Sequence, residues 1–215
     1  MIVRDKAELD VFQEIQTIDY FYNNAVTLKD KINANPQERM LAHTKEGIVK
    51  ELLDEIIPLA FFAKKHCKQN EKIKWCYGNQ QYDAKIYNDE EELLYKIEIT
   101  FPHCGHQVHK KNENLVNQLK QSGVGMVDFS EEFDIFRLTQ KFEEAAKKKS
   151  EKQYDNCILV FNLQYPTLDV SDPKETLDVE TIKTIISKYS YHASKVYLYE
   201  SRIGSKIGDT ISQIK

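Results

Sequence analysis

Five consecutive apolar residues, Cys157-Ile158-Leu159-Val160-Phe161, lie between polar neighbours and constrain the fold more than any other stretch of the chain. A run of that length and composition suits a strand buried on both faces, and such a strand needs other elements packed over each side of its sheet. Residues 174 to 189 follow with helical spacing through Leu177, Ile182, Ile185 and Ile186, and Val196-Tyr197-Leu198-Tyr199 reads as a final strand. Strand, helix, strand is a crossover unit, which brings its two strands together in parallel with a right-handed connection.

The remainder is read around that unit. Residues 6 to 33 carry Leu9, Phe12, Ile18, Tyr22 and Val26 at roughly helical spacing until Asn33-Ala34-Asn35-Pro36 interrupts it, which predicts a first helix. Asn35 as a cap and Pro36 at the first helical position open a second helix running to about His66, with breaks at Gly47 and Pro58 that kink or split it. From residue 73 to 101 the period changes to two. Strands are predicted around Trp75-Cys76-Tyr77, over Tyr82 to Tyr87 and over Leu93 to Phe101, the last two joined by the acidic turn Asn88 to Glu92. Helices are predicted over 108 to 121 and 131 to 151, the latter with a lysine-rich end. Helices, a meander, then β-α-β make an α/β protein with a mixed β-sheet flanked by helices. Residues 1–35 form an N-terminal helical extension packed on one globular domain, 36–215.

With 215 residues, 41% of them hydrophobic and 30% charged, the chain is too apolar for a disordered tail and long enough to bury one good core. Its longest apolar run, Ile56 to Ala63, contains a proline and falls far short of the about 18 residues of a membrane span. The first ten residues carry five charges, which no hydrophobic region of a secretory signal tolerates, so the mature chain is expected to start at Met1. Cys67, Cys76, Cys104 and Cys157 show no CxxC pair and read as reduced thiols of a cytoplasmic protein. A net charge of −4 argues against an extended basic groove, though not against a local basic surface.

Carboxylates carry the candidate chemistry. On a helical wheel Met40, Ile48, Leu52, Ile56, Leu59 and Phe62 form an apolar stripe of the second helix, with Glu55 inside it and Glu51 on its edge. An acid in such a stripe pairs with a lysine, accepts hydrogen bonds or binds a metal. Strand alternation puts Asp83 and Lys85 on one face opposite Ala84 and Ile86, and Lys96, Glu98 and Thr100 on one face opposite Ile97, Ile99 and Phe101. If the polar faces of these strands turn the same way, Asp83, Glu98 and Glu51 or Glu55 make a pocket of three carboxylates. Such a pocket repels itself unless protons or a hard cation neutralise it, which suggests Mg²⁺ or Mn²⁺ and metal-assisted phosphodiester hydrolysis. The alternative is a polar sheet face that is simply wetted.

The segment Gly78-Asn79-Gln80-Gln81-Tyr82-Asp83-Ala84-Lys85-Ile86, followed fifteen residues after the Asp by Glu98 in Ile97-Glu98-Ile99-Thr100, resembles the core of the PD-(D/E)XK, or restriction-endonuclease-like, nuclease superfamily. The order of elements after Thr100 is similar too, and the resemblance spans roughly residues 36 to 200. It implies a restriction-endonuclease-like core acting as a Mg²⁺-dependent endonuclease on nucleic acid, DNA first, without a membrane, and allows a homodimer. Asp83 and Glu98 would bind the metal, and Glu51 or Glu55 would be the helix-borne acid. Thr100 stands where the family has lysine, so Lys85 and Lys96 are candidate replacements. The alternative is a catalytically inactive nuclease-fold module that binds nucleic acid or a protein partner.

Other features point less far. His103, Cys104, His106 and His109, with Cys67 and Cys76, do not match a structural-zinc spacing, whereas His106, His109, Lys110 and Lys111 offer phosphate contacts near the proposed site. Lys147-Lys148-Lys149 and Lys152 suit the end of a helix, where the macrodipole favours cations. Gly204-Ser205-Lys206 lacks the spacing of a phosphate loop and reads as a flexible tail.

Overall fold

The computed structural model describes residues 7–35, 48–78, 80–102, 135–164, 179–201 and 210–215. Its strands are β1 (Gln16–Thr17), β2 (Lys72–Trp75), β3 (Ala84–Tyr87), β4 (Leu93–Thr100), β5 (Cys157–Gln164), β6 (Lys195–Ser201) and β7 (Thr210–Gln213). They form one seven-stranded mixed sheet in chain order. The helices are α1 (Ala7–Asp10), α2 (Ile18–Ala34), α3 (Ile48–Glu51), α4 (Ile57–His66), α5 (Ile135–Ser150) and α6 (Val179–Ser187). The chain is therefore α/β, a mixed sheet flanked by helices. Among the described residues no helix is long and apolar enough to cross a membrane. Described residues up to Leu94 form one compact unit and those from Tyr95 onward a second.

In the first unit the expected helix over 6 to 33 is broken. After α1 a short 3₁₀ turn, Val11–Gln13, leads into β1, and α2 starts only at Ile18, where the Thr17 hydroxyl accepts from Tyr20 N–H at 3.3 Å. The Gln16 amide donates to Val11 O at 2.6 Å, fixing a bend that lets Gln16 and Thr17 pair with Ile73 and Lys72. Apolar spacing continues across this bend, which is why the periodicity reads as a single helix. Phe12 and Phe21 meet edge to face at 4.9 Å, and α2 packs on α4 through Tyr22 and Phe61 at 5.0 Å. Beside that contact Lys64 pairs with Asp19.

The break expected at Pro58 is a π turn over Leu52–Ile56, in which Ile57 N–H reaches back five residues to Leu52 O. Pro58 has no N–H to donate, and its ring would clash with the carbonyl four residues earlier. Widening the preceding turn relieves the clash without ending the helix. Leu52, Ile56, Ile57, Leu59, Ala60, Phe62 and Ala63 are all buried, each large side chain contributing about 1.5–3 kcal/mol. Opposite them β2 and β3 pair antiparallel and bury Ile73, Trp75, Ala84 and Ile86. The first meander strand thus starts three residues before the expected run Trp75-Cys76-Tyr77, because Ile73 and Trp75 carry the inward alternation. The turn Asn88 to Glu92 closes with Glu91 at φ 63° and the Asn88 carboxamide oxygen accepting from Glu92 N–H at 2.8 Å.

In the second unit β4, β5 and β6 run parallel, joined through α5 and α6, as the crossover pattern requires. The strand expected over Cys157 to Phe161 extends to Gln164, and Cys157 through Leu163 are all buried. Phe142 and Ala146 of α5 and Ile182, Ile185 and Ile186 of α6 supply the buried helix faces. β7 pairs antiparallel with β6, Ile211 opposite Tyr199, so a further strand follows the one expected to be the last. Its sequence, Thr-Ile-Ser-Gln, is too polar to announce a strand. The expected helix over 108 to 121, the histidines His103, His106 and His109, Cys104, Lys110, Lys111 and the Gly204-Ser205-Lys206 segment lie outside the described residues.

Candidate functional site

Of the helix-borne acids, Glu51 immediately precedes the π turn and Glu55 lies within it. Glu55 is half-buried and its carboxylate accepts a hydrogen bond from the Trp75 indole N–H at 3.0 Å, which ties the turn to the covered face of β2. Burial pushes the Glu55 carboxyl above its ordinary value of 4.5, against the Trp75 bond, with the neighbouring Glu51 and Asp54 charges adding to the rise. Glu51 keeps its Oε2 buried with no hydrogen-bond partner among the described residues. A wheel drawn at 100° per residue cannot rank these two acids, because the π turn inserts one residue and shifts the phase between them.

The raised Glu55 carboxyl makes a pH prediction. Between the unfolded and folded values the folded chain holds the proton more tightly, so stability falls as pH rises from 4.5 through the raised value. Glu55→Gln is expected to flatten that fall while still accepting from Trp75. Denaturant unfolding of both proteins across pH 4 to about 8 checks it, and identical pH profiles would refute it.

Asp83 immediately precedes β3 and extends the hairpin ladder, its carbonyl accepting from Cys76 N–H at 2.8 Å. Continued alternation sets it on the open face with Lys85, and its charge acts on the Cys76 thiol, which burial raises and Lys85 and Lys74 lower. Glu55 is bonded to Trp75 on the covered face of the same hairpin. Lys85 stands over the Tyr82 ring with its ammonium 5.6 Å from the centroid.

In the second unit Glu98 and Thr100 are both buried on β4, in register with Leu159 and Phe161 of β5. The Glu98 Oε1 accepts from Lys149 of α5, and from Lys152 just beyond that helix at 3.3 Å. Its Oε2 is buried with no hydrogen-bond partner among the described residues. Side-chain exposure is 8% for Glu98, 14% for Lys149 and 34% for Lys152, so water screens the inner pair poorly. Lys96, a candidate replacement for the missing motif lysine, instead meets the Asp155 carboxylate at 3.4 Å.

The ammonium beside Glu98 thus comes from α5, out of the lysine cluster that helix-end electrostatics explained without any further role. A signal for it exists in the sequence. Phe142, Ala146 and Lys149 fall on one stripe at spacings of four and three, so Lys149 lies on the buried face of α5 while Lys147 and Lys148 are exposed. Among the described residues no group of three or more His, Cys, Asp and Glu is gathered to hold a metal ion. Compared with protein-family models, curated proteins and solved structures, the chain matches none.

Proposed function

We propose that the chain hydrolyses phosphodiester bonds in nucleic acid with a divalent cation, Mg²⁺ or Mn²⁺, held on the carboxylate of Glu98. The observation that carries this reading is Glu98: a carboxylate 8% exposed, on a parallel strand, with two ammoniums on one oxygen and, among the described residues, no hydrogen-bond partner on the other. An orphaned carboxylate oxygen in the interior costs about 1–3 kcal/mol or more, a cost proteins retain where chemistry uses the group. The order helix, antiparallel strands, then β4-α5-β5-α6-β6 also follows the order of elements that the nuclease resemblance implies.

Mg²⁺ is commonly held through one or two carboxylates, its other positions going to water and substrate phosphate. Glu98 Oε2 is a hard oxygen donor of that kind, and so, in the first unit, is the Asp83 carboxylate to which the nuclease resemblance points. Such a cation, when bound, lowers the pKa of a coordinated water and offsets charge on the phosphate. Lys149 orients the Glu98 carboxylate, and its ammonium, with that of Lys152, supplies the positive charge that Thr100 cannot. Cys67, Cys76 and Cys157 are in no disulfide among the described residues, and the compartment proposed with this reading is the cytoplasm.

The second reading, a non-hydrolytic module of the same fold, draws on Thr100 and on the lysines already bound to Glu98. Incubation with plasmid, linear and single-stranded DNA and with RNA in Mg²⁺, Mn²⁺ or EDTA separates the two. Metal-dependent cleavage is expected, lost in Asp83→Asn and in Glu98→Gln. Absence of cleavage in every condition, with metal leaving the wild-type melting temperature unchanged, would overturn hydrolysis in favour of the module.

A further inference from the structure

The open face of the β2–β3 hairpin carries an arrangement that the carboxylate site does not use. Lys74 and Lys85 are directly opposite each other across the two strands, and Lys72 faces Tyr87 one step along the same face. Like charges in a directly opposed pair destabilise a sheet unless something offsets them. Lys72 is matched by Glu91 at 3.2 Å, whereas Lys74 and Lys85 make no ion pair among the described residues. Tyrosines surround the pair. Tyr82 lies against the Lys85 ammonium, and Tyr87 stands two residues along β3 from Lys85.

We propose that this face binds single-stranded nucleic acid, with Lys74 and Lys85 on backbone phosphates and the tyrosines as surfaces for bases. The occupant is chosen by charge and shape together. Two ammoniums with no ion pair among the described residues call for a polyanion, and flat aromatic side chains beside them suit unstacked bases, whose faces a duplex hides. The Asp83 carboxylate stands at the end of the same face, so a strand lying there passes the acid that the hydrolytic reading uses. The inference rests on that reading for the class of partner and adds where the strand lies.

Fluorescence anisotropy of a labelled 20-nucleotide oligothymidylate, titrated with the full chain in EDTA, tests this without any cleavage. Lys74→Gln/Lys85→Gln is expected to weaken binding at least about tenfold and to make the slope of log K against log salt shallower by about 1.4, the share of two phosphates on a single strand. Tyr82→Ala/Tyr87→Ala is expected to weaken it about tenfold with the slope unchanged. A duplex of the same length should bind more weakly than the single strand. Circular dichroism melts confirm that each variant is folded, and Lys74→Met/Lys85→Met replaces the Gln pair if it is not. Wild-type affinity in the lysine variants, or tighter binding to duplex, would overturn the proposal. Binding that behaves as expected without cleavage in Mg²⁺ or Mn²⁺ removes hydrolysis and leaves the face, and cleavage with lysine-insensitive binding does the reverse.

Discussion

Glu98→Ala is expected to lower the free energy of unfolding by about 3 kcal/mol, the largest single loss among the charged positions described. The carboxylate sits between two ammoniums, and the Lys149 side chain is only 14% exposed. Taking away Glu98 leaves that ammonium in a poorly hydrated place without its carboxylate. Lys152, at 34%, reaches water more easily and contributes less. Lys149→Met should cost less than Glu98→Ala, because Lys152 remains on Glu98 Oε1. The double variant Glu98→Leu/Lys149→Met removes both charges, and replacing a buried pair by apolar side chains of similar size is often neutral. It should therefore recover stability to within about 1 kcal/mol of wild type, a coupling that a double-mutant cycle in urea reads directly. Additive losses would mean that Glu98 and Lys149 do not interact. The same numbers govern the activity test, since loss of cleavage in Glu98→Gln counts as chemistry only where that variant is folded.

Much of the framework is legible in the sequence because local patterning and tertiary packing agree there. Cys157 to Phe161 reads as a doubly buried strand and is one, and the alternation of Ala84 and Ile86 against Lys85 matches the buried and open faces of the hairpin. Where two local signals overlap, the reading fails. Apolar spacing runs through the Gln16–Thr17 bend, so a capped helix start at Ile18 is hidden inside a longer periodic stretch. The π turn defeats any wheel of fixed period, which is why Glu51 and Glu55 are separable only by the Trp75 bond. Glu98 is singled out by its place in the strand. Its partner Lys149 lies 51 residues away, and only the stripe it shares with Phe142 and Ala146 hints at where its ammonium goes. β7 depends on pairing with β6 rather than on its own composition, so nothing local marks it.

Asn162→Val is expected to stabilise the chain by about 2 kcal/mol. Asn162 is 2% exposed near the end of β5, two residues past Val160 on the same strand and in register with Tyr199 of β6. Neither its amide nitrogen nor its carboxamide oxygen has a hydrogen-bond partner among the described residues. Among the described residues the folded state therefore carries the desolvation cost of an amide with no bond to offset it. Valine keeps nearly the same volume, removes both polar atoms and suits a strand better than asparagine does. For a chain of this size the gain should raise the melting temperature by about 4–8 °C, which scanning calorimetry measures. A lower melting temperature for Asn162→Val would show instead that a buried water, held by the amide, is part of the fold at the carboxyl end of the parallel strands.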